Sequence, residues 1–428
     1  MPLLKWLNQR LLLALAPGFF ILLAAQFVSA LADNALLVVA MAALIEQHQQ
    51  AFWIPLLKLM FTLSYVVLGP WVGAWADHWP KHRVMMVANA IKCLACFSML
   101  MGLNPVAAFG LAGLGAAIYA PAKYGLITEM EPAHRLVKAN GWIEVSTVCA
   151  ALFGVVLGGF LVGKLWLGSA LCQWLASGIP SSWGTLAVSL MALLVFYGCA
   201  AVMNLFIPDS GVRYPRSPWG VRAVWGRFVQ DQAALWHDPL GSISLTVTTL
   251  FWGVGACLQL LVLAWAQQAL HLSLEHAAYL QAATAVGVVA GAALAARYVR
   301  LEQAPQVLAV GILLGLLMPL MVGIESWQSA VVLTALLGVV GGFFVVPMNA
   351  LLQHRGVTLL SAGRSISVQN TNENASILSM MGAYSALLYA HVPVDQLAWG
   401  LGLLVAIGMA LVQWRYLAMR SADRFHAG

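Results

Sequence analysis

The chain has 428 residues, of which 62% are hydrophobic and 8% charged, against about 25% charged in an ordinary soluble domain. With a mean hydropathy of +0.86, this excludes a water-soluble fold of this length. The long continuous apolar runs exclude a β-barrel, whose strands alternate apolar and polar residues. The net charge of +6 falls in short loops, so it reads as a topology signal and as contact with membrane lipids, not as nucleic-acid binding.

Apolar runs of about 20 residues, enough to cross a bilayer, predict an all-α membrane protein of 12 transmembrane helices. The predicted spans are 18–44, 51–75, 84–103, 105–128, 137–163, 183–206, 240–267, 275–296, 305–323, 327–352, 363–390 and 396–417. They divide into two six-helix halves, 1–206 and 240–428, joined by a polar linker at 207–239. Lys5 and Arg10 precede span one, and Ala30-Leu31-Ala32 resembles a cleavage site. The run is too long for a signal-peptide core, so it reads as a first transmembrane helix.

Span one carries Gln26, Ser29 and Asp33 on one helical face, with Asn34 beside them. Such a stripe is expected to line water, the alternative being a helix–helix hydrogen-bond cluster. Lys92 in span three reads as a snorkelling side chain near the interface, while for Lys58 in span two snorkelling is the alternative to a place in the polar site. Cys93-x-x-Cys96 lies inside a helix without a second ligand pair, and the six cysteines imply neither a metal centre nor a disulfide framework. Lys123 in span four and Glu144 in span five sit at similar depth. Either each neutralises the other, or the lysine binds a phosphate as a point charge.

Glycine pairs at Gly154/Gly158, Gly159/Gly163 and Gly287/Gly291 mark close helix packing. Residues 164–182 form a loop with Trp166 and Trp174. The linker carries Arg213, Arg216, Arg222 and Arg227 interleaved with Trp219, Trp225 and Trp236, and Val221 to Trp236 suits an amphipathic helix on the bilayer surface. Span eleven is polar nearly all round from Arg364 through Gln369, Asn370, Glu373 and Asn374 to Ser376. Facing lipid it would be untenable, so it must face a cavity or protein. Its amides and carboxylate suit a zwitterionic or glycerol-bearing headgroup.

With the N-terminus in the cytoplasm, 17 of the 21 Lys and Arg fall on the cytoplasmic side. The positive-inside rule then makes both termini cytoplasmic. The stretch Gly115–Leu126, with Pro121, repeats 226 residues later as Gly341–Leu352, with Pro347. Two related halves about a linker is a transporter architecture. No zinc-protease, P-loop or nucleophile-elbow motif occurs at a plausible position. The chain therefore reads as no enzyme, with no cofactor and no metal.

Gly73-Ala-Trp-Ala-Asp77-His-Trp-Pro-Lys81-His-Arg83 resembles the loop signature between spans two and three of the major facilitator superfamily. His78 and Pro80 depart from it. The resemblance implies a cytoplasmic latch in which Asp77, with Lys81, Arg83 and Arg364, engages the start of span eleven. It also implies that span five packs on span eight, consistent with their glycine pairs. Within that superfamily, Ala25–Leu37, Tyr119–Gly125, Val137–Gly141, Phe251–Gly253, Gly341–Pro347 and Val368–Asn374 resemble the bacterial lysophospholipid transporters. The blocks keep the same order over nearly the whole chain.

That family implies flipping of lysophospholipids, mainly lysophosphatidylethanolamine, from the outer to the inner leaflet of the bacterial inner membrane, for reacylation by a cytoplasmic-side acyltransferase. It implies polar cavity positions at Asp33, Lys123, Glu144 and Glu373; with Gln26, Asn34, Lys58, Gln259, Gln369 and Asn370 these are the expected substrate-binding residues. Where the family has an arginine in span seven, this chain has Gln259, and where it has a glutamine in span two, this chain has Lys58. The departure raises Lys58 as a substitute partner for Asp33. The alternative is a proton-coupled drug or small-molecule exporter on the same fold. Gly158 is followed by Gly159 and not by the proline usual in such antiporters.

Overall fold

The computed structural model describes residues 15–50, 53–180, 183–215 and 220–426. Lys5, Arg10, Arg216 and Trp219, cited above for topology and the linker, lie outside the described residues. The spans are α1 (Pro17–Glu46), α2 (Trp53–His78), α3 (Lys81–Leu100), α4 (Pro105–Met130), α5 (Leu136–Val162) and α6 (Ala187–Leu205). They continue as α7 (Pro239–Gln268), α8 (Leu274–Tyr298), α9 (Leu308–Leu317), α10 (Trp327–Leu359), α11 (Ala362–Tyr389) and α12 (Val394–His426). Among the described residues there is no strand. Eleven of the spans are long and apolar enough to cross a membrane, counting α9 with the 3₁₀ turns that flank it. The twelfth, α11, falls short in hydropathy because of its polar run.

The ends follow local chemistry. Asn104 accepts the Val106 N–H with Pro105 at the first helical position of α4. Asp238 accepts the Gly241 N–H with Pro239 opening α7. In both, the side chain satisfies one of the orphan donors while proline has none to offer. The loop at 164–182 contains two short helices, Lys164–Leu167 and Ala170–Ser177. The linker contains one helix, Val221–His237, along the stretch predicted to be amphipathic.

Packing follows a pseudo-twofold pattern. In the first half α1 packs on α4, α5 and α6, α2 on α4, and α3 on α4 and α6. In the second, α7 packs on α10, α11 and α12, α8 on α10, and α9 on α10 and α12. The halves meet through α2 with α11 and α5 with α8, which are the same contact under that symmetry. The repeated segments fall on the corresponding helices α4 and α10, and each keeps its proline inside the helix.

The glycine pairs do a different job from the one expected. A Cβ on Gly154 or Gly158 would meet Leu31, Asn34, Ala35 or Val38 of α1, and one on Gly287 or Gly291 would meet the α10 backbone at Ala335 and Val339. These glycines therefore close contacts inside each half and not between α5 and α8. The α5–α8 contact is made by Gly141, whose missing Cβ admits Ala292 and Ala296. Gly159 faces open space.

Candidate functional site

The polar stripe of α1 is turned into protein. Gln26 and Ser29 are buried. Gln26 Nε2 donates to Ser146 Oγ of α5 at 2.8 Å, and Ser29 Oγ donates to Asn89 Oδ1 of α3 at 2.7 Å. Asp33 forms an ion pair with Lys92 of α3, Nζ to Oδ2 2.7 Å, and accepts from the Tyr197 hydroxyl of α6 at 2.8 Å. Lys92 also donates to Ser29 Oγ at 3.0 Å and lies over the rings of Tyr119 and Tyr197. Two expectations are corrected here. The stripe is a helix–helix hydrogen-bond cluster, with only the Asp33 side chain keeping 16% exposure. Lys92 is not snorkelling but 2% exposed, because its ammonium is neutralised by Asp33 and also hydrogen-bonded to Ser29 where it sits. It, and not Lys58, takes the place beside Asp33; the Lys58 side chain is exposed.

A second polar group straddles the two halves. From the first half come Lys123 of α4 and Glu144 of α5, both buried. Lys123 Nζ reaches Gln26 Oε1 at 3.5 Å and lies 4.2 Å from the Tyr124 ring centre. Lys123 and Glu144 attract one another, but among the described residues the ion pairs within 4 Å do not include them. Facing them from the second half is Glu373 of α11, which accepts from Gln369 Nε2 at 2.8 Å and lies close to Thr248 of α7. Gln369 Nε2 also donates to Asn349 Oδ1 of α10 at 3.0 Å. Glu144 and Glu373 act on one another electrostatically across the half boundary, and both act on Tyr124. Gln369 Oε1 and Asn370 Nδ2 are buried with no hydrogen-bond partner among the described residues. Buried polar atoms in a native structure nearly always have partners, so these two are exceptions.

The basic face is shut by a third group. Asp77 Oδ1 accepts the Gly363 N–H at 2.8 Å, and Oδ2 accepts the Arg364 N–H at 3.1 Å and the Ser361 hydroxyl. The carboxylate thus sits on the N-terminus of α11, where the orphan amides and the helix dipole favour it. Lys81 lies 3.5 Å from Asp77 and 2.5 Å from Glu129. Gly73 admits α11 so closely that a Cβ would come within 2.8 Å of Ser367 Cβ, and Ser367 Oγ donates to the Gly69 carbonyl. On the pseudo-symmetric side, Asn140 of α5 and Gln353 of α10 exchange two amide hydrogen bonds of 2.8 and 2.9 Å. The linker joins in: Asp231 receives two bonds from the Arg364 guanidinium, and Asp238 two from Arg355. Asp238 is outside the spans. Burial pushes its carboxyl up, but the Arg355 hydrogen bond and the Gly241 N–H outweigh it and hold it below the usual carboxylate range.

Of the residues singled out in the sequence, Gln26, Lys123 and Glu144 gather with Gln369 and Glu373 at the half boundary, Asn370 is buried on the same helix as the last two, and Asp33 lies in the adjoining cluster. Asn34 stands apart: its amide donates to the Ala30 carbonyl of its own helix and its Cβ lies against Gly154. Gln259 is exposed, and its backbone carbonyl accepts from Gln281 of α8. Asp77, Lys81 and Arg364 form the latch, while Arg83 is exposed. Sequence reasoning missed Tyr197, Asn89, Asn349, Glu129, Asn140, Gln353 and the two linker aspartates. None carries a local signal, since each is defined by a partner far along the chain.

The family model described as Major Facilitator Superfamily matches residues 22–379. The lysophospholipid transporter LplT of Photorhabdus laumondii is 38% identical over 395 residues, 92% of this chain and 94% of that protein. The protein of the same name from Yersinia enterocolitica is 40% identical over 383 residues, 89% of each chain. Among solved structures, a bacterial homologue of the iron transporter ferroportin in an outward-facing state superposes with a TM-score of 0.70 at 15% identity, covering 95% of this chain and all of that one. FucP in its outward conformation gives 0.64 at 12% identity, covering 93% and 99%. At such identities the structural likeness speaks for the fold alone.

Proposed function

The chain belongs to the major facilitator superfamily, and from that premise we propose how it handles its substrate. It is a multi-pass membrane lysophospholipid transporter, by its likeness to curated transporters of that name over about nine-tenths of its length. Residues 1–206 and 240–428 move as two units about the polar floor between them, and alternating access comes from their rocking. The basic face is the cytoplasmic one, both termini lie there, and the membrane is the bacterial inner membrane.

The observation that carries the reading is the group at the half boundary, with a lysine and a carboxylate on one side and a carboxylate and amides on the other. A lysophosphatidylethanolamine headgroup presents a phosphate and an ammonium a few atoms apart. Lys123 takes the phosphate as a point charge. Glu373 and Glu144 face the ammonium, and Gln369 Oε1 and Asn370 Nδ2 supply the missing acceptor and donor. Asp33, held by Lys92 and Tyr197, borders the site and sets its field. The acyl chain stays in apolar surroundings. With the latch closed, substrate enters from the outer leaflet, and opening of the basic face delivers it to the inner leaflet, where a cytoplasmic-side acyltransferase restores the diacyl lipid.

The test is transport by the purified chain in vesicles. Lysophosphatidylethanolamine is expected to change leaflets, and Lys123→Gln and Glu373→Gln each to slow it at least tenfold. A chain that moves cationic drugs against a proton gradient but leaves lysolipids in place would instead be the exporter.

A further inference from the structure

The linker helix Val221–His237 has three faces. Val224, Phe228, Asp231 and Leu235 are buried against the protein. Val221, Trp225, Val229 and Trp236 form an exposed stripe beside them, with Val221 64% and Val229 60% exposed. At 100° per residue these four fall within an arc of about 80°. The rest of the surface is polar and includes the exposed Arg222 and Arg227. Among the described residues neither arginine is in an ion pair, and the helix's one acid, Asp231, is turned inward onto Arg364.

The apolar stripe continues an exposed apolar side of the membrane span α2. Trp225 packs edge-on against Trp71 of α2, ring centres 5.8 Å apart. Trp71 lies between the exposed Val67 and Trp75, on the side of α2 opposite Gly69 and Gly73, which pack on α11. A helix that lies at the end of a membrane span, prolongs its apolar side and adds tryptophans and unpaired arginines fits one surroundings, the interface of a bilayer with anionic headgroups.

We propose that the linker helix docks on the anionic phospholipid leaflet at the basic face, and that this docking steadies the latch. The link to the latch is direct. The docked helix grips Arg364, on the turn of α11 that Asp77 caps, through Asp231, and about two turns further along α11 Gln232 accepts from Asn372 at 2.8 Å. Assigning this face to the cytoplasmic leaflet rests on the orientation proposed above.

A photo-crosslinking residue placed at position 229, or at the adjacent position 230 on the polar side, tests it in the full chain. The chain is reconstituted into vesicles of phosphatidylethanolamine with either phosphatidylglycerol or phosphatidylcholine, the same in both leaflets, so the outcome does not depend on orientation. Position 229 is expected to capture phospholipid and position 230 little. Arg222→Gln with Arg227→Gln is expected to cut the preference for phosphatidylglycerol by about fivefold per arginine. Cross-linking between Cys residues placed at 78 and 361 is expected to be more complete with phosphatidylglycerol. The proposal is overturned if position 229 labels lipid no better than position 230, if it captures a second copy of the chain, or if phosphatidylglycerol changes neither readout. Lysophospholipid transport in the same vesicles reports separately: its absence overturns the substrate reading and leaves the lipid capture to stand or fall alone.

Discussion

Asp33 and Lys92 are 59 positions apart in the chain and 2.7 Å apart in the fold. Removing one member of such a pair leaves a buried charge without a counter-charge, which costs about 3–5 kcal/mol. Lys92→Met is therefore expected to lower the thermal unfolding temperature sharply in detergent, and Asp33→Asn combined with Lys92→Met to recover a large part of the loss. If the two changes simply added, the pair would not be the stabilising unit. The sequence showed that Asp33 and Lys92 were out of place in a membrane. It did not show that they belong together, because position along a helix does not say which neighbour a side chain meets, and a lysine reaches far. Lys58 attracted attention by a change of residue type, but the ion pair to Asp33 comes from Lys92.

Glycine spacing behaves in the same way one level up. The pairs in α5 and α8 were legible as close-packing faces, but which helix each face meets depends on the rotation of the helix about its axis, a matter of the whole assembly. Gly291→Ala drives a methyl into the α10 backbone and is expected to destabilise strongly, whereas Gly159→Ala meets open space and gains helix propensity of up to about 1 kcal/mol. Thermal stability of the two variants in one detergent separates these cases, and equal effects would contradict the packing described. Asp238 ties the linker to α10. Its folded carboxyl titrates below the unfolded one, so it contributes stability above the unfolded value of about 3.9. That contribution is lost as the pH falls through the lower folded value. Asp238→Asn is expected to flatten the acid limb of the stability profile and to leave the neutral-to-basic limb unchanged in shape.

At the level of the molecule, the number of spans, the two related halves and the basic face were all readable, because the bilayer imposes length, hydropathy and charge asymmetry directly on the sequence. The latch was readable in part: Asp77 came with a recognisable motif, while Asn140 and Gln353 are two ordinary amides until the halves are put together. Two-state transporters respond to such contacts through populations, with about 1.4 kcal/mol shifting the ratio tenfold. Asp77→Asn and Asn140→Ala are each expected to raise the labelling of cysteines behind the closed basic face, and the Asn140→Ala, Gln353→Ala double variant to raise it little beyond either single change. Labelling that rises additively would mean the two amides do not act as a pair.

The Asp33, Lys92 and Tyr197 group is confined to α1, α3 and α6, all in one half. If the halves rock as bodies, as proposed, its internal distances do not change, so whatever it contributes is common to both orientations and drops out of their balance. The balance is set elsewhere, by the few contacts that straddle the seam. Robustness and adjustability are thereby assigned to different residues. Changes in the first set would then be read out in whether the chain folds, and changes at Gly73, Asn140 or Gln353 in how long each side stays open.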